Sequence, residues 1–434
     1  MHPIQQILLA QKQGRVVGIY SCCSANEFVL LAALERGKQR NTTVLIEATA
    51  NQVNQFGGYT GMTASNFYVY VQNLIAKVGI DPSQVILGGD HLGPLPWAAL
   101  PEAKAMAHAK ELVYQFVLAG FTKIHLDTSM RLADDDSIAC LSNDTIARRG
   151  AELCAVCEQA YAERKQLFPN AEPPVYIIGS EVPIPGGAQQ VEEGVSITKP
   201  EDCLATYHTF QQAFEKHGLS DAWTRVVAMV VQPGVEFGDD RVFAYDSAAA
   251  KQLTSLLMRF PMVFEGHSTD YQTPESLRSM VRDGIAILKV GPALTFGLRE
   301  ALFALECIER ELLLGTDLSM SNFRATLEYQ MLENDQNWRN HYRGNGNQQR
   351  ISRAFSFSDR ARYYIPHVAV QHSIERLLKN LHQVKIPSAL LSQYMPVQYV
   401  ALCKGKIEGT PESLILDRIG NYIDNYYYAT LSDF

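Results

Sequence analysis

The sequence predicts an α/β fold, a (β/α)8 barrel with a mostly helical C-terminal extension, on three observations. Eight apolar runs of strand length recur between Val16 and Val290, amphipathic segments with helical spacing separate them, and the alternation stops at about Gly315. Strand, helix, strand repeated eight times implies parallel strands joined by right-handed crossovers. Runs that are apolar along their whole length are buried on both faces, and eight of them in roughly 300 residues suit a closed barrel better than an open doubly wound sheet.

The runs, in order, are Val16 to Tyr20, Val44 to Ile46, Val85 to Leu87, Lys123 to Leu126, Val175 to Ile178, Val226 to Val231, Met262 to Phe264 and Ile285 to Val290. Between them, Phe67, Val71, Leu74, Ile75 and Val78 recur at helical spacing, as do Leu112, Val113, Phe116 and Val117. Thr273-Pro274-Glu275 and Thr198-Lys199-Pro200-Glu201 read as helix starts, and Gly79, Gly120, Gly218 and Gly284 stand where helices stop. Residues 1–315 are therefore expected to form the barrel and residues 316–434 a helical extension packed on it or on a neighbour. The tail "NYIDNYYYATL" is dense in tyrosine, which favours an interface over a core and leaves self-association of the chain open.

Composition narrows the partners. The 434 residues carry 38 basic and 46 acidic side chains, a net charge of -8, with no Lys/Arg block, which argues against nucleic acid or an anionic membrane as the main partner. No run reaches the length of a membrane span, and "MHPIQQILLAQKQGR" lacks the features of an export signal, so a cytoplasmic protein is expected. Eight scattered cysteines are read as reduced thiols, and the Cys154 to Cys157 pair, inside a helical pattern, as buried small residues rather than a zinc or redox motif.

Chemistry in such a barrel gathers at the C-terminal ends of the strands. The eight ends here read "SCCS", Glu47, Asp90-His91, His125 with Asp127, Glu181, Gln232, Glu265 with His267, and Lys289. Taken singly, each has a plain structural alternative: Asp127 as a helix cap, Glu47 as an acceptor for loop amides, a histidine as a hydrogen-bonded core residue. Their shared position is what marks Asp90, Glu181, His267 and Lys289 as catalytic candidates. Imidazole and carboxylate at His91, His125, Glu181, Glu265 and His267 suit zinc or a similar divalent ion, although the spacing itself names no metal. Lys289 could serve as a Schiff-base amine or as the partner of a phosphate or carboxylate. The loops "GHSTDYQT" and "VGPALTFG", with Ser268, Asp270 and Gly291, follow the last two strands, where barrels frequently bind phosphate.

The blocks "EATANQVNQFGGYTGMT", "ILGGDHLGP", "KIHLDTSM", "EVPIPGG", "VVQPGVEF", "EGHSTDYQT", "AILKVGPALTF" and "SDRARYYIP" closely resemble the Z-subunit family of D-tagatose-1,6-bisphosphate aldolase, from near Gly14 to the C-terminal extension. The resemblance implies a (β/α)8 fold and a cytoplasmic complex with a separate zinc-dependent Y subunit. That complex cleaves tagatose 1,6-bisphosphate to dihydroxyacetone phosphate and glyceraldehyde 3-phosphate in D-tagatose 6-phosphate degradation, within galactitol and N-acetylgalactosamine catabolism. It further implies a Z chain that is non-catalytic and sustains the activity and stability of Y. An older kinase label in the family finds no support here, since the sequence has no GxxxxGK[ST] loop.

Against the class II aldolase pattern, Asp90-His91 resembles the acid and first metal ligand, whereas Gln232 and Glu265 stand where imidazoles would be expected, with His267 one residue beyond the glycine. That reading expects a weakened or re-purposed metal site. The loop carrying Asn51, Gln52, Gln55, Gly57 and Gly58 suits a polyhydroxylated, phosphorylated ligand, or else satisfies itself and plugs the mouth. The expected function is an auxiliary subunit, inactive alone, as the resemblance implies; the alternative, favoured by the strand ends, is a metal-dependent lyase or isomerase on a phosphorylated sugar.

Overall fold

The computed structural model describes residues 1–136, 141–180 and 195–431. Its eight parallel strands are β1 (Ile19–Cys23), β2 (Val44–Thr49), β3 (Val85–Leu92), β4 (Lys123–Leu126), β5 (Val175–Ile178), β6 (Val226–Val231), β7 (Val263–Gly266) and β8 (Ile285–Val290). They close into a barrel in which β8 pairs with β1, Ile19 opposite Ile287. A two-stranded hairpin, Glu236–Phe237 with Val242–Phe243, sits in the loop after β6.

Four strands differ from the sequence expectation in their limits, β7 by a short shift to Val263–Gly266. β1 starts at Ile19, because Val16 and Val17 give their carbonyls to Arg278 and Gln11 side chains instead of a ladder. β2 and β3 run on through polar residues, with Thr49 opposite Asp90, since their inner faces line a polar mouth and need not stay apolar. Below that mouth the barrel is filled by an apolar layer that includes Leu45, Ile86, Ile177, Val230, Val263 and Ile287. Ile4, from the helix Pro3–Lys12, closes the bottom of this layer and is fully buried. Burial of such a side chain contributes about 1.5–3 kcal/mol.

Helices Glu27–Arg40, Ala64–Val78, Glu102–Ala119, Asn143–Leu167, Pro200–Lys216, Pro274–Arg282 and Pro292–Leu313 surround the barrel, and beyond residue 313 the described chain is helical. Cys154 and Cys157 are buried in the fourth of these, and burial pushes both thiols well above the usual range, as expected of inert packing residues.

The last helix, Pro411–Thr430, revises the reading for two of the tyrosines in the tail. Tyr426 and Tyr427 are buried against Tyr20 of β1, with ring centroids 5.8 and 5.2 Å away, so they are core residues of this chain rather than an interface. Asp417 and Asp424 pair with Arg36 and Arg40 of the Glu27–Arg40 helix at 2.7 and 3.0 Å. Thr430 carbonyl accepts the N–H of Gly18 at 2.9 Å, tying the final turn to the entry of β1.

Candidate active site

A strand sends alternate side chains to the same face. In β4 that places Lys123 and His125 inward, and Asp127 continues the series just past the strand. Strand register then sets Glu47, Gly88 and Lys123 side by side in one layer. Gly88 makes the room: a Cβ there would lie 2.5 Å from Glu47 Oε1. Lys123 Nζ, fully buried, stands 2.6 Å from Glu47 Oε1 and 2.7 Å from Glu265 Oε2. Lys289 Nζ reaches Glu47 Oε2 and stands 2.8 Å from Asp90 Oδ1. Ser21 Oγ donates to Glu47 Oε2 at 2.7 Å.

Above this layer stand three imidazoles from three strands. The rings of His91, His125 and His267 form a triangle with centroids 5.1, 4.9 and 5.2 Å apart. One ligand atom from each, with one from Asp90, all lie within 4.8 Å of one another. Asp127 Oδ2 takes His91 Nδ1–H at 2.8 Å, which leaves Nε2 free. Glu265 Oε1 takes His267 Nε2–H at 2.9 Å, which leaves Nδ1 free. His125 Nδ1 lies 3.0 Å from Asp90 Oδ1 and 3.1 Å from the backbone N–H of His91.

The electrostatics follow from burial and charge. Burial opposes protonation of His91, but Asp90 and Asp127 override it and lift the ring to about 9. Burial works against ionisation of Asp127 too, and the bond to His91 holds it down to about 2. Glu265 is drawn to about 2, its burial outweighed chiefly by Lys123. Burial pulls the Lys289 ammonium down to about 8.

A divalent ion such as zinc fits these residues on two counts. His125 Nε2 is buried without a hydrogen-bond partner among the described residues, a costly state for an imidazole nitrogen unless something is to be bound there. The buried carboxylates Glu47, Asp90, Asp127 and Glu265 also outnumber by one the cations that face them among the described residues, Lys123, Lys289 and the protonated His91, whose proton a bound cation would replace. Three histidines oriented by hydrogen-bonded carboxylates are the donor set of an open catalytic site.

The mouth opens into a cavity of about 420 Å³, lined by Asn51, Gln52, Asp90, His91, His267, Ser268, Asp270, Lys289 and Gly291, and by Arg362 and Tyr363 from beyond the barrel. The remaining sequence candidates take other positions. Gln55 Nε2 donates to His108 carbonyl, and Gly57 and Gly58 adopt φ of 98° and 55° in a turn where a Cβ on Gly58 would meet Gln52 carbonyl at 2.4 Å. Gln232 Oε1 accepts from Gly234 and Val235 N–H at 2.9 and 3.0 Å, pinning its own loop. The third imidazole therefore comes from β4, as His125, and the amide at position 232 leaves the cluster complete. Glu265 lies beneath the imidazoles, between Lys123 and His267. Glu181 lies outside the described residues.

Sequence reasoning missed Lys123 and Arg362. The alternation Lys123, His125, Asp127 was a signal for the first; for Arg362, far along the chain, only its place in the "SDRARYYIP" block was.

Residues 4–431 match the family model described as "D-tagatose-1,6-bisphosphate aldolase subunit GatZ/KbaZ-like". Among solved structures, the chain is similar to a probable tagatose 6 phosphate kinase from Sinorhizobium meliloti 1021, at 42% identity over 95% of this chain and 100% of that one, with a TM-score of 0.86. The YdjI aldolase from Escherichia coli K12 (10% identity, 87% of this chain, 98% of that one) and the fructose-bisphosphate aldolase of Campylobacter jejuni (15%, 88% and 91%) superpose with TM-scores of only 0.40 and 0.41, too low to bear on the reading. Across nearly its whole length, then, the chain belongs to the GatZ/KbaZ-like family of D-tagatose-1,6-bisphosphate aldolase subunits.

Proposed function

We propose that the barrel mouth is a divalent-cation-dependent carbonyl site for a phosphorylated sugar, working as a lyase or isomerase. The observation that carries this reading is the convergence of His91, His125 and His267 with Asp90, of which His91, His267 and Asp90 line the open cavity and His125 lies buried behind them. His91 Nε2, His125 Nε2 and His267 Nδ1 would hold the ion, zinc being suited to them. A bound ion supplies Lewis-acid polarisation of a carbonyl oxygen.

The chain's own groups do the rest. Asp127 and Glu265 fix the two outer rings and their tautomers. Lys289 Nζ, between Asp90 and Glu47, is the group placed to hold and pass a proton, with the Asp90 carboxylate as an acceptor at 2.8 Å on the cavity side. Asn51, Gln52 and Ser268 offer neutral hydrogen bonds to sugar hydroxyls from the cavity wall.

The family description favours a second reading, an auxiliary, chaperone-like subunit of a cytoplasmic tagatose-bisphosphate aldolase in galactitol or N-acetylgalactosamine catabolism, sustaining a catalytic Y subunit. The kinase name of the Sinorhizobium relative has no counterpart here, because the sequence lacks a phosphate loop.

One assay separates the two. The chain alone, with and without added Zn²⁺, is given tagatose 6-phosphate and tagatose 1,6-bisphosphate, and Y-subunit activity and half-life are followed with and without the chain. Turnover by the chain alone that vanishes in His125→Ala supports the first reading. A chain inert with every metal tried, yet prolonging the life of Y, overturns it in favour of the second.

A further inference from the structure

Besides His91 and His267, two basic side chains line the cavity among the described residues, and they are differently committed. Lys289 is engaged by Glu47 and Asp90. Arg362 has no carboxylate within ion-pair distance among the described residues. Its Nη1 donates to the carbonyls of Ser358 and Asp359 at 2.5 and 2.9 Å, and its Nη2 donates to Tyr363 hydroxyl at 3.1 Å. The guanidinium also lies over the Tyr363 ring, 4.5 Å from its centroid, and that ring stands edge-on to Tyr59 at 5.1 Å. A guanidinium has five N–H donors. These bonds use both on Nη1 and one on Nη2, so the edge formed by Nε and the second Nη2 hydrogen is unspent, on a head already locked in place. That edge is the fork that takes a phosphate or carboxylate in a bidentate grip.

The usual phosphate position of such a barrel is filled. Phosphate commonly settles at a helix N-terminus after the seventh or eighth strand. Here the helix Pro292–Leu313 begins after β8, and the buried carboxylate of Asp270 accepts both Gly291 N–H at 3.1 Å and Ala293 N–H at 2.8 Å. Pro292 has no N–H to add. An incoming phosphate would meet an anion where it would otherwise find donors.

We propose that Arg362 is the phosphate anchor of the mouth and the single one among the described residues, so that the ligand is a monophosphorylated rather than a bisphosphorylated sugar. The phosphate then lies beside Tyr59, which packs edge-on to Tyr363, with the sugar chain reaching through the same cavity toward the imidazoles. This rests on the reading of the mouth as a phosphorylated-sugar site.

The test is calorimetric titration of the full chain with tagatose, tagatose 6-phosphate and tagatose 1,6-bisphosphate, on wild type, Arg362→Gln and Asp270→Asn, with folding checked by thermal melting. The monophosphate is expected to bind wild type roughly 10- to 100-fold tighter than the free sugar, from one charge-assisted bidentate contact. In Arg362→Gln that advantage disappears while affinity for tagatose is unchanged. The bisphosphate binds wild type no tighter than the monophosphate, and Asp270→Asn raises the bisphosphate-to-monophosphate affinity ratio.

Unchanged monophosphate binding in Arg362→Gln overturns the proposal, as does a bisphosphate that binds wild type about tenfold tighter than the monophosphate. If Arg362→Gln does not fold, the Asp270→Asn ratio decides, and an unaltered ratio overturns the proposal. Monophosphate binding that depends on Arg362 in a chain without turnover would sink the lyase or isomerase reading and leave the anchor standing. Turnover with an unchanged KM in Arg362→Gln would do the reverse.

Discussion

Asp127 Oδ2 and His91 Nδ1 are 2.8 Å apart and both buried, the carboxylate behind the ring and the open nitrogen in front of it. Because the carboxylate sets which nitrogen carries the proton, it also sets which one can bind a cation. Asp127→Asn keeps the shape and loses the charge, and cation affinity should fall 10- to 100-fold, as for other outer-shell partners of metal-binding histidines. Competition with a chromophoric zinc chelator measures it; equal affinity in both proteins would remove Asp127 from the site.

Lys123 is the cation beneath the cluster, between Glu47 and Glu265. Replacing it with Met leaves the buried Glu265 without its close counter-charge and Glu47 with Lys289 alone, which should cost about 3–5 kcal/mol of stability. Urea unfolding of the single variant and of Lys123→Met with Glu265→Gln checks this. The double variant should recover part of the loss, and a single variant as stable as wild type would show that the pair contributes nothing.

Gly88 has no freedom to gain a side chain. An alanine methyl would press on Glu47 Oε1 at 2.5 Å, with Glu47 Cγ at 2.9 Å, in a fully packed layer. Gly88→Ala should cost about 1–3 kcal/mol. It should also move Glu47 away from Lys289 and so reduce turnover by more than the fall in folded fraction. Circular dichroism melts set beside kcat separate the two effects.

At the barrel floor, His2 caps the helix Pro3–Lys12, its Nδ1 accepting Ile4 N–H at 3.2 Å. Burial, helped by the terminal ammonium, lowers its pKa from 6.5 to about 4. The unfolded chain takes up this proton below 6.5 and the folded chain only below about 4. Stability is therefore full above pH 6.5 and is lost as pH falls toward 4, by about 3 kcal/mol in total. His2→Asn keeps a capping oxygen without the titration. Its denaturant midpoint should fall less between pH 7.5 and 4.5 than that of wild type, and parallel losses would refute the assignment.

The barrel was legible because strands buried on both faces must be apolar throughout, and all eight runs became strands. Their ends were harder to read. β2 and β3 continue through Thr49 and Asp90 because an inner face that lines a polar mouth drops the apolar pattern while the ladder goes on. The motif match after β6 drew attention to Gln232 and left His125 as one general candidate among several, because only the adjacency of β3 and β4 brings His125 beside His91. Arg362 could not be placed at all, since nothing local says which barrel loop a helical segment will lean on.

The seal over β1 also sets an order of events during synthesis. Tyr20 is covered by Tyr426 and Tyr427, and β1 finds its second neighbour only in β8. The first strand made is therefore among the last to be enclosed. At ordinary ribosomal speeds it waits roughly 20–80 s for the helix that covers it, with its edge and its aromatic ring exposed meanwhile. A nascent chain released short of residue 430 would carry that open edge permanently, which makes truncated translation products of this protein natural clients for chaperones and proteases.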